Sequence, residues 1–262
     1  MITLLLVLTL CYLLGSIPTS ILAGRLLSGV DIRQHGSKNA GATNVYRVLG
    51  LGPAIVVAVI DVGKGAAAAL LLSRIQVGGP APVATMHLQL LAGGAAVIGH
   101  IWPLFAGFRG GKGVATTVGV LVGIAPVAMA AALAVWLVLL FTSRIMSVAS
   151  LAAAVVLPIS TWIWESNPDG SVSSELLGFT MIICVLIFFT HRSNIRRLLR
   201  GEELTIGRNR DQEVPPPPAE TVPPKVTERI TQEIAERIDR EAAGQDTQEP
   251  VERKAAARKD TR

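Results

Sequence analysis

Long apolar stretches broken by short clusters of charge run from the amino terminus to about residue 204. Stretches without a single Asp, Glu, Lys or Arg cover 1–24, 75–108, 113–143, 145–164 and 176–191, and about 20 apolar residues are enough for one helix to cross a bilayer. A further segment, 51–73, is also apolar but carries Asp61 and Lys64. The pattern predicts membrane helices rather than a soluble core. No basic residue precedes the first apolar segment, and the first one, Arg25, follows it. A secretory signal has the opposite order, so this segment is predicted to stay as the first membrane helix.

Lys and Arg accumulate on the cytoplasmic side of membrane proteins. Arg25, Arg33, Lys38 and Arg47 therefore place the 25–47 loop in the cytoplasm and the N-terminus outside. Residues 51–73 go out to Arg74, and 82–104 return to Arg109 and Lys112. The 113–143 run lies between Lys112 and Arg144, so it is predicted to cross twice, with a turn at Gly123-Ile124-Ala125-Pro126. Residues 145–164 lead out to a loop containing Trp162, Trp164, Glu165, Asp169 and Glu175, and 174–190 return to His191, Arg192, Arg196, Arg197 and Arg200. The expected fold is an all-α integral membrane protein with seven transmembrane helices, N-terminus outside and C-terminus cytoplasmic.

Beyond residue 204 the composition changes. The 1–204 part holds thirteen basic against seven acidic residues, whereas 205–262 holds eleven against twelve. Pro215 to Pro218 and Pro223-Pro224 read as a stiff linker. The stripe of Ile230, Ile234 and Ile238 is too narrow to bury much area, so 205–262 is expected to be a disordered or partly helical charged tail. Cys11 and Cys184 lie in separate apolar runs, which argues against a disulfide framework.

Two runs, Gly36-Ser37-Lys38-Asn39-Ala40-Gly41-Ala42-Thr43-Asn44 and Gly107-Phe108-Arg109-Gly110-Gly111-Lys112-Gly113, set glycine, cation and polar side chains together. Small residues let backbone N–H groups converge on an anion, and a neighbouring Lys or Arg adds charge. Phosphate chemistry at a membrane surface is the reading that follows. The Lys112 run is not a Walker A loop, because Ala106 stands in place of its first glycine and Gly113 in place of the magnesium-binding Ser or Thr. Gly63-Lys64-Gly65-Ala66-Ala67-Ala68 fits the loose dinucleotide pattern but lies in an apolar span with no preceding strand. Four scattered His residues do not suggest a metal site. No His has an Asp five positions later, so the His-x4-Asp pair of many acyl-CoA-dependent glycerolipid acyltransferases is missing.

Three segments on the predicted cytoplasmic face carry a resemblance. They are Gly36 to Arg47, Gly99-His100-Ile101-Trp102-Pro103 through Thr117, and His191 through Glu203. In this order, with Asp61-Val62-Gly63-Lys64-Gly65, they resemble the bacterial acyl-phosphate-dependent glycerol-3-phosphate acyltransferase family, over residues 1 to about 204. The resemblance implies a membrane acyltransferase domain over 1–204 that uses acyl phosphate and glycerol 3-phosphate, gives lysophosphatidic acid and phosphate, and needs no cofactor. It implies the bacterial cytoplasmic membrane as location and the cytoplasmic face as the site of reaction. Partners are then membrane lipid and the soluble enzyme that makes acyl phosphate, with no role for nucleic acid.

Ser37, Lys112, His191 and Asn194 are the expected catalytic residues. Lys38, Asn39, Thr43, Asn44, Arg47, His100, Gly110, Gly111, Gly113, Thr116 and Ser147 are expected to bind substrate or its phosphate. A mixed anhydride is already activated, so no covalent Ser or Cys intermediate is needed, and the base is either His191 or the departing phosphate. A transporter for a phosphorylated anion is the alternative, although cations collected on one face and an acidic outer loop oppose it. A scaffold that recruits soluble enzymes through its tail is a third reading.

Overall fold

The computed structural model describes residues 1–77, 79–164 and 173–206. The proline-rich stretch, the Ile230–Ile238 stripe and the loop residues Glu165 and Asp169 lie outside the described residues. Ten α-helices build the described part: α1 (Ile2–Ser16), α2 (Thr19–Ser28), α3 (Ala42–Leu49), α4 (Leu51–Ala66), α5 (Thr85–Ile101), α6 (Val114–Ile124), α7 (Pro126–Ser143), α8 (Met146–Trp164), α9 (Ser174–Thr190) and α10 (Arg192–Leu199). Large apolar side chains such as Leu5, Val59, Phe141 and Val185 stand exposed on their outer faces. Exposed apolar surface on this scale fits hydrocarbon, not water.

Five helical stretches are long and apolar enough to cross a membrane: Ile2–Ser28, Leu51–Arg74, Thr85–Ala106, Pro126–Ser143 and Met146–Trp164. The bent pair α9 and α10, at 59° to each other, makes a sixth if taken as one span. The 113–143 run does divide at Ala125, with Pro126 opening α7. Proline suits the first helical position because its missing N–H would have no partner there. The first half, α6, has only eleven residues, about 16 Å at 1.5 Å per residue, against a hydrocarbon core of about 30 Å.

Helices pack through glycine. A Cβ at Gly15 or Gly99 would run into the backbone of Ala96 or Tyr12 and part α1 from α5. Gly65 lies on the Thr116 carbonyl and Gly119 on that of Val62, which joins α4 to α6. Lipid gives no hydrophobic drive for helices to associate, so close backbone approach and its dispersion contacts do that work. The α4–α6 seam holds the start of α6, where the glycine-rich loop ends, in a fixed place.

Pro18 separates α1 from α2, since it has no N–H to continue the helix. The Ile17 carbonyl at this break accepts from Lys64 Nζ at 2.5 Å. Lys64 also pairs with Asp61 at 2.9 Å, with both side chains almost wholly buried.

Candidate active site

Lys112 sits where the ends of α5, α6, α9 and α10 come together. The chain folds back over the end of α5, with Gly110 N–H donating to Ile101 O and Gly111 N–H to His100 O, each at 3.1 Å. No Cβ fits at Gly110 or Gly111, because it would strike the His100 carbonyl or imidazole. Gly113, at φ +85°, then turns the chain into α6. The Lys112 carbonyl accepts from Thr190 Oγ1 at 3.2 Å, which fixes the loop to the end of α9.

From Lys112 a chain of hydrogen bonds runs through three other segments. Lys112 Nζ donates to Asn194 Oδ1 at 2.6 Å, and Asn194 Nδ2 donates to Glu203 Oε1 at 2.6 Å. The same oxygen accepts from Ser147 Oγ at 2.9 Å, and Glu203 Oε2 accepts from Arg197 Nε at 2.7 Å. An ammonium only donates and a carboxylate only accepts, so the Asn194 amide has one consistent orientation. Arg47 Nη2 donates to the Leu204 carbonyl at 3.3 Å. Its Nε is buried and has no hydrogen-bond partner among the described residues, and a buried donor in that state favours an anionic acceptor.

The charges are unbalanced towards positive. Burial pushes the Lys112 ammonium down to about 8; nearby Glu203 opposes this, and the Arg197 and Arg47 guanidinium groups add to it. Burial alone would push the Glu203 carboxyl up, but hydrogen bonds from Arg197, Asn194 and Ser147 outweigh it and hold the group below the usual carboxylate range. Glu203 therefore stays ionised and keeps Lys112, Arg47 and Arg197 from repelling one another apart.

His191 is buried at the knee between α9 and α10. Its Nδ1 lies 2.8 Å from the Ile187 carbonyl, and a carbonyl only accepts. Nδ1 therefore carries a proton, and Nε2 is the nitrogen left for exchange.

The 36–44 loop meets the glycine-rich loop where the Ala40 carbonyl packs on Gly111. Sequence reasoning placed Asn44 among the substrate ligands, and the structure gives it a different task. Asn44 Oδ1 accepts from Ser37 N at 2.7 Å and Ser37 Oγ at 3.1 Å, while Nδ2 donates to Ile32 O at 2.8 Å and His35 O at 3.0 Å. With both ends of its amide engaged and no exposed surface, Asn44 folds the loop and orients Ser37. Lys38 is exposed in a left-handed conformation, at φ +59°, and Asn39 and Thr43 are half-buried. Thr116 is buried on the seam with α4 and its hydroxyl has no partner among the described residues. His100 faces Asp61 instead of the Lys112 ammonium.

Glu203, Arg197 and Thr190 were not singled out from sequence. Glu203 had one signal, a carboxylate pair, Glu202-Glu203, directly after Arg196, Arg197 and Arg200. Thr190 had none, because a threonine at the end of an apolar run is common.

An apolar cavity of about 310 Å³ opens beside this polar cluster, lined by residues of α3, α4, α6, α7, α8 and α9. Val114, Met146 and Ile187 line it next to Gly113, Ser147 and the α9 end. Leu157 also lines it and lies ten residues beyond Ser147 on α8, about 15 Å deeper at the helical rise.

Together, the lipid-facing helices, the cationic cluster and the adjoining apolar cavity define an integral membrane protein suited to a substrate that is anionic at one end and apolar at the other. The sequence profile of glycerol-3-phosphate acyltransferases matches residues 5–201. A glycerol-3-phosphate acyltransferase of Pelodictyon phaeoclathratiforme is 44% identical over 226 residues, covering 78% of this chain and 96% of the relative. That of Chlorobaculum tepidum is 43% identical over 230 residues, covering 79% and 99%. Among solved structures, PlsY (YgiH), an integral membrane glycerol 3-phosphate acyltransferase, matches in its glycerol 3-phosphate form with a TM-score of 0.68 and 34% identity, over 78% of this chain and 96% of that one. Its lysophosphatidic acid form matches with a TM-score of 0.65 and 33% identity. The chain belongs to the glycerol-3-phosphate acyltransferase family.

Proposed function

We propose that the protein transfers an acyl group from acyl phosphate to the sn-1 hydroxyl of glycerol 3-phosphate, giving lysophosphatidic acid and inorganic phosphate. The observation that carries this reading is the Lys112–Asn194–Glu203–Ser147 chain at the mouth of the apolar cavity. Both substrates bring a phosphate, and Lys112, Arg47 and the glycine-rich loop offer cations and room for one. The donor's acyl chain fits the cavity between Val114 and Leu157. A solved relative at 33% identity is a lysophosphatidic acid form, which supports lysophosphatidic acid as the product.

In the reaction the glycerol hydroxyl oxygen attacks the anhydride carbonyl carbon, a C–O ester bond forms, and the C–O bond to phosphate breaks. Lys112, next to Gly110 and Gly111, holds the phosphate of glycerol 3-phosphate and offsets the charge that develops on the anhydride carbonyl oxygen. Ser37, oriented by Asn44, and Asn194 hold the hydroxyl in line. The hydroxyl proton ends on the released phosphate, so the balance closes without a protein base. His191, fixed by Ile187, has Nε2 free to hydrogen-bond substrate.

Purified protein given acyl phosphate and glycerol 3-phosphate should form lysophosphatidic acid and phosphate together, and should form none from acyl-CoA. A transporter or scaffold would form none from either donor. In the same assay with a mixture of acyl phosphates, Ala153→Phe should shift the product towards shorter chains, because Ala153 lines the cavity six residues, about 9 Å, beyond Ser147. An unchanged product profile from an active Ala153→Phe protein would remove the cavity as the acyl site.

We further propose seven crossings in the bacterial cytoplasmic membrane, with α6 and α7 counted separately, the N-terminus outside and the site on the cytoplasmic face. The basic residues Arg33, Arg109, Lys112, Arg144 and Arg192 support this through the positive-inside rule. Single cysteines replacing Arg109 and Ser193, both exposed, in a variant lacking Cys11 and Cys184 should react with impermeant thiol reagents only from the cytoplasm. One replacing Ser174 should react only from outside. Labelling of 109 and 193 from opposite sides would overturn the paired crossing.

A further inference from the structure

A buried polar group away from Lys112 has no part in the chemistry above. Asp61 and Lys64 lie within the membrane span of α4, at 1% and 4% exposure. Asp61 Oδ1 accepts from Thr19 Oγ1 at 2.6 Å and from Lys64 Nζ at 2.9 Å. Lys64 Nζ also donates to the Ile17 carbonyl at the α1–α2 break. Placing two charges in hydrocarbon is costly, and an apolar pair often serves stability as well or better. An intramembrane carboxylate kept in spite of this calls for a task beyond holding α4 to α2.

His100 supplies the connection. Its Nδ1 lies 3.7 Å from Asp61 Oδ1, and its other ring nitrogen, Nε2, packs against Gly111. Nothing larger than glycine fits there, so the imidazole and the loop are in direct contact. The same loop hangs from the His100 and Ile101 carbonyls by the Gly111 and Gly110 N–H groups, and Lys112 is the next residue. The ring thus has a carboxylate on one edge and the loop that carries Lys112 on the other. A carboxylate near Nδ1 favours the proton there and sets the ring's orientation, as in carboxylate–histidine pairs elsewhere.

We propose that Asp61, clamped by Thr19 and Lys64, orients His100, and that His100 positions the Gly110–Gly111–Lys112 segment to receive the glycerol 3-phosphate phosphate. Asp61 and His100 are positioning residues that act through the loop. This rests on Lys112 as the phosphate-site cation. The charged network inside the membrane then has a function, to hold the phosphate loop at one height over the end of α5. Helix packing alone does not fix a loop of this glycine content.

The test uses full-length protein in lipid and reads kcat and KM for glycerol 3-phosphate separately, alongside thermal stability. His100→Asn places a donor near the Nδ1 position, whereas His100→Gln places one near Nε2 and leaves the Asp61 side without a partner. His100→Gln should raise KM about tenfold or more, and His100→Asn should bring it back to within about threefold of wild type. The double variant Asp61→Leu, Lys64→Leu leaves no unpaired charge, so it should fold, and it should show the same rise in KM as His100→Gln. Equal KM values in His100→Asn and His100→Gln, or wild-type KM in a folded double variant, would overturn the proposal. If the double variant does not fold, the His100 pair decides alone. Lys112→Ala measured in parallel separates the two levels: unchanged kinetics there removes the reading on which this one rests, while a large loss there with an unresponsive His100 series removes only this one.

Discussion

Lys112→Ala should lower kcat about a hundredfold or more and leave the helical content and thermal transition near those of wild type. Loss of one preorganised donor to developing oxyanion charge typically amounts to about 3 kcal/mol, a hundredfold or more in rate. No other cation of this cluster stands to take its place, because Arg197 is bound to Glu203 and Arg47 to the Leu204 carbonyl. Lys112→Arg should recover only part of the rate, since the larger planar fork meets a loop in which Gly111 already touches the His100 ring. A pH series gives a second readout. With the ammonium pushed down to about 8 by burial, the protonated form that meets phosphate is lost as pH rises through that value. KM for glycerol 3-phosphate should be flat below about pH 7 and climb towards tenfold per unit above about pH 9. In Lys112→Arg that climb should disappear, because a guanidinium stays protonated. Near-normal turnover in Lys112→Ala would take this residue out of the mechanism.

Glu203→Gln should lower kcat about ten- to a hundredfold, with KM for glycerol 3-phosphate, read at a pH low enough to keep Lys112 protonated, unchanged or lower. Hydrogen bonds to a charged group are typically worth about 1.5–3 kcal/mol, and this carboxylate accepts from Asn194, Ser147 and Arg197 at once. A glutamine keeps the size but presents an N–H to groups that themselves donate, so at least one bond is lost and the Asn194 amide is freed to turn. Lys112 then loses its fixed partner. The loss of negative charge does not weaken attraction for phosphate, because it leaves Lys112, Arg47 and Arg197 less compensated. The effect therefore falls on orientation, which kcat reads, and not on attraction, which KM reads. Wild-type kcat in a folded Glu203→Gln protein would show that the carboxylate only ties α10 to α8.

The chain's local order was enough to fix the class of this protein. Uncharged runs of span length, the proline at 126 and the Arg and Lys clusters at their ends foretell helices, the break at Ala125 and the gathering of cations near helix ends. These are legible because in a bilayer each helix satisfies its own backbone and must be apolar along its length, so the signal is local. Gly110, Gly111 and Lys112 were expected for a similar reason, since they fall within one short run whose residue types match phosphate chemistry, whereas His191 and Asn194 were expected only through the resemblance of the 191–203 segment to the family.

Tertiary structure alone decided which of these groups face one another. Asn44 and Asn194 look alike in sequence, yet one is closed off inside the 36–44 loop and the other links Lys112 to Glu203. His100 and His191 both end apolar runs, yet one turns to Asp61 and the other is fixed by the Ile187 carbonyl at the α9–α10 knee. Glu203 meets Ser147 fifty-six residues away in the chain, and the cavity takes its wall from six helices. Pairings of this kind depend on the glycine seams between α1 and α5 and between α4 and α6, which set helix against helix at backbone distance. A side chain's partner across such a seam depends on rotation and height, and neither is written in the residue's own neighbourhood along the chain.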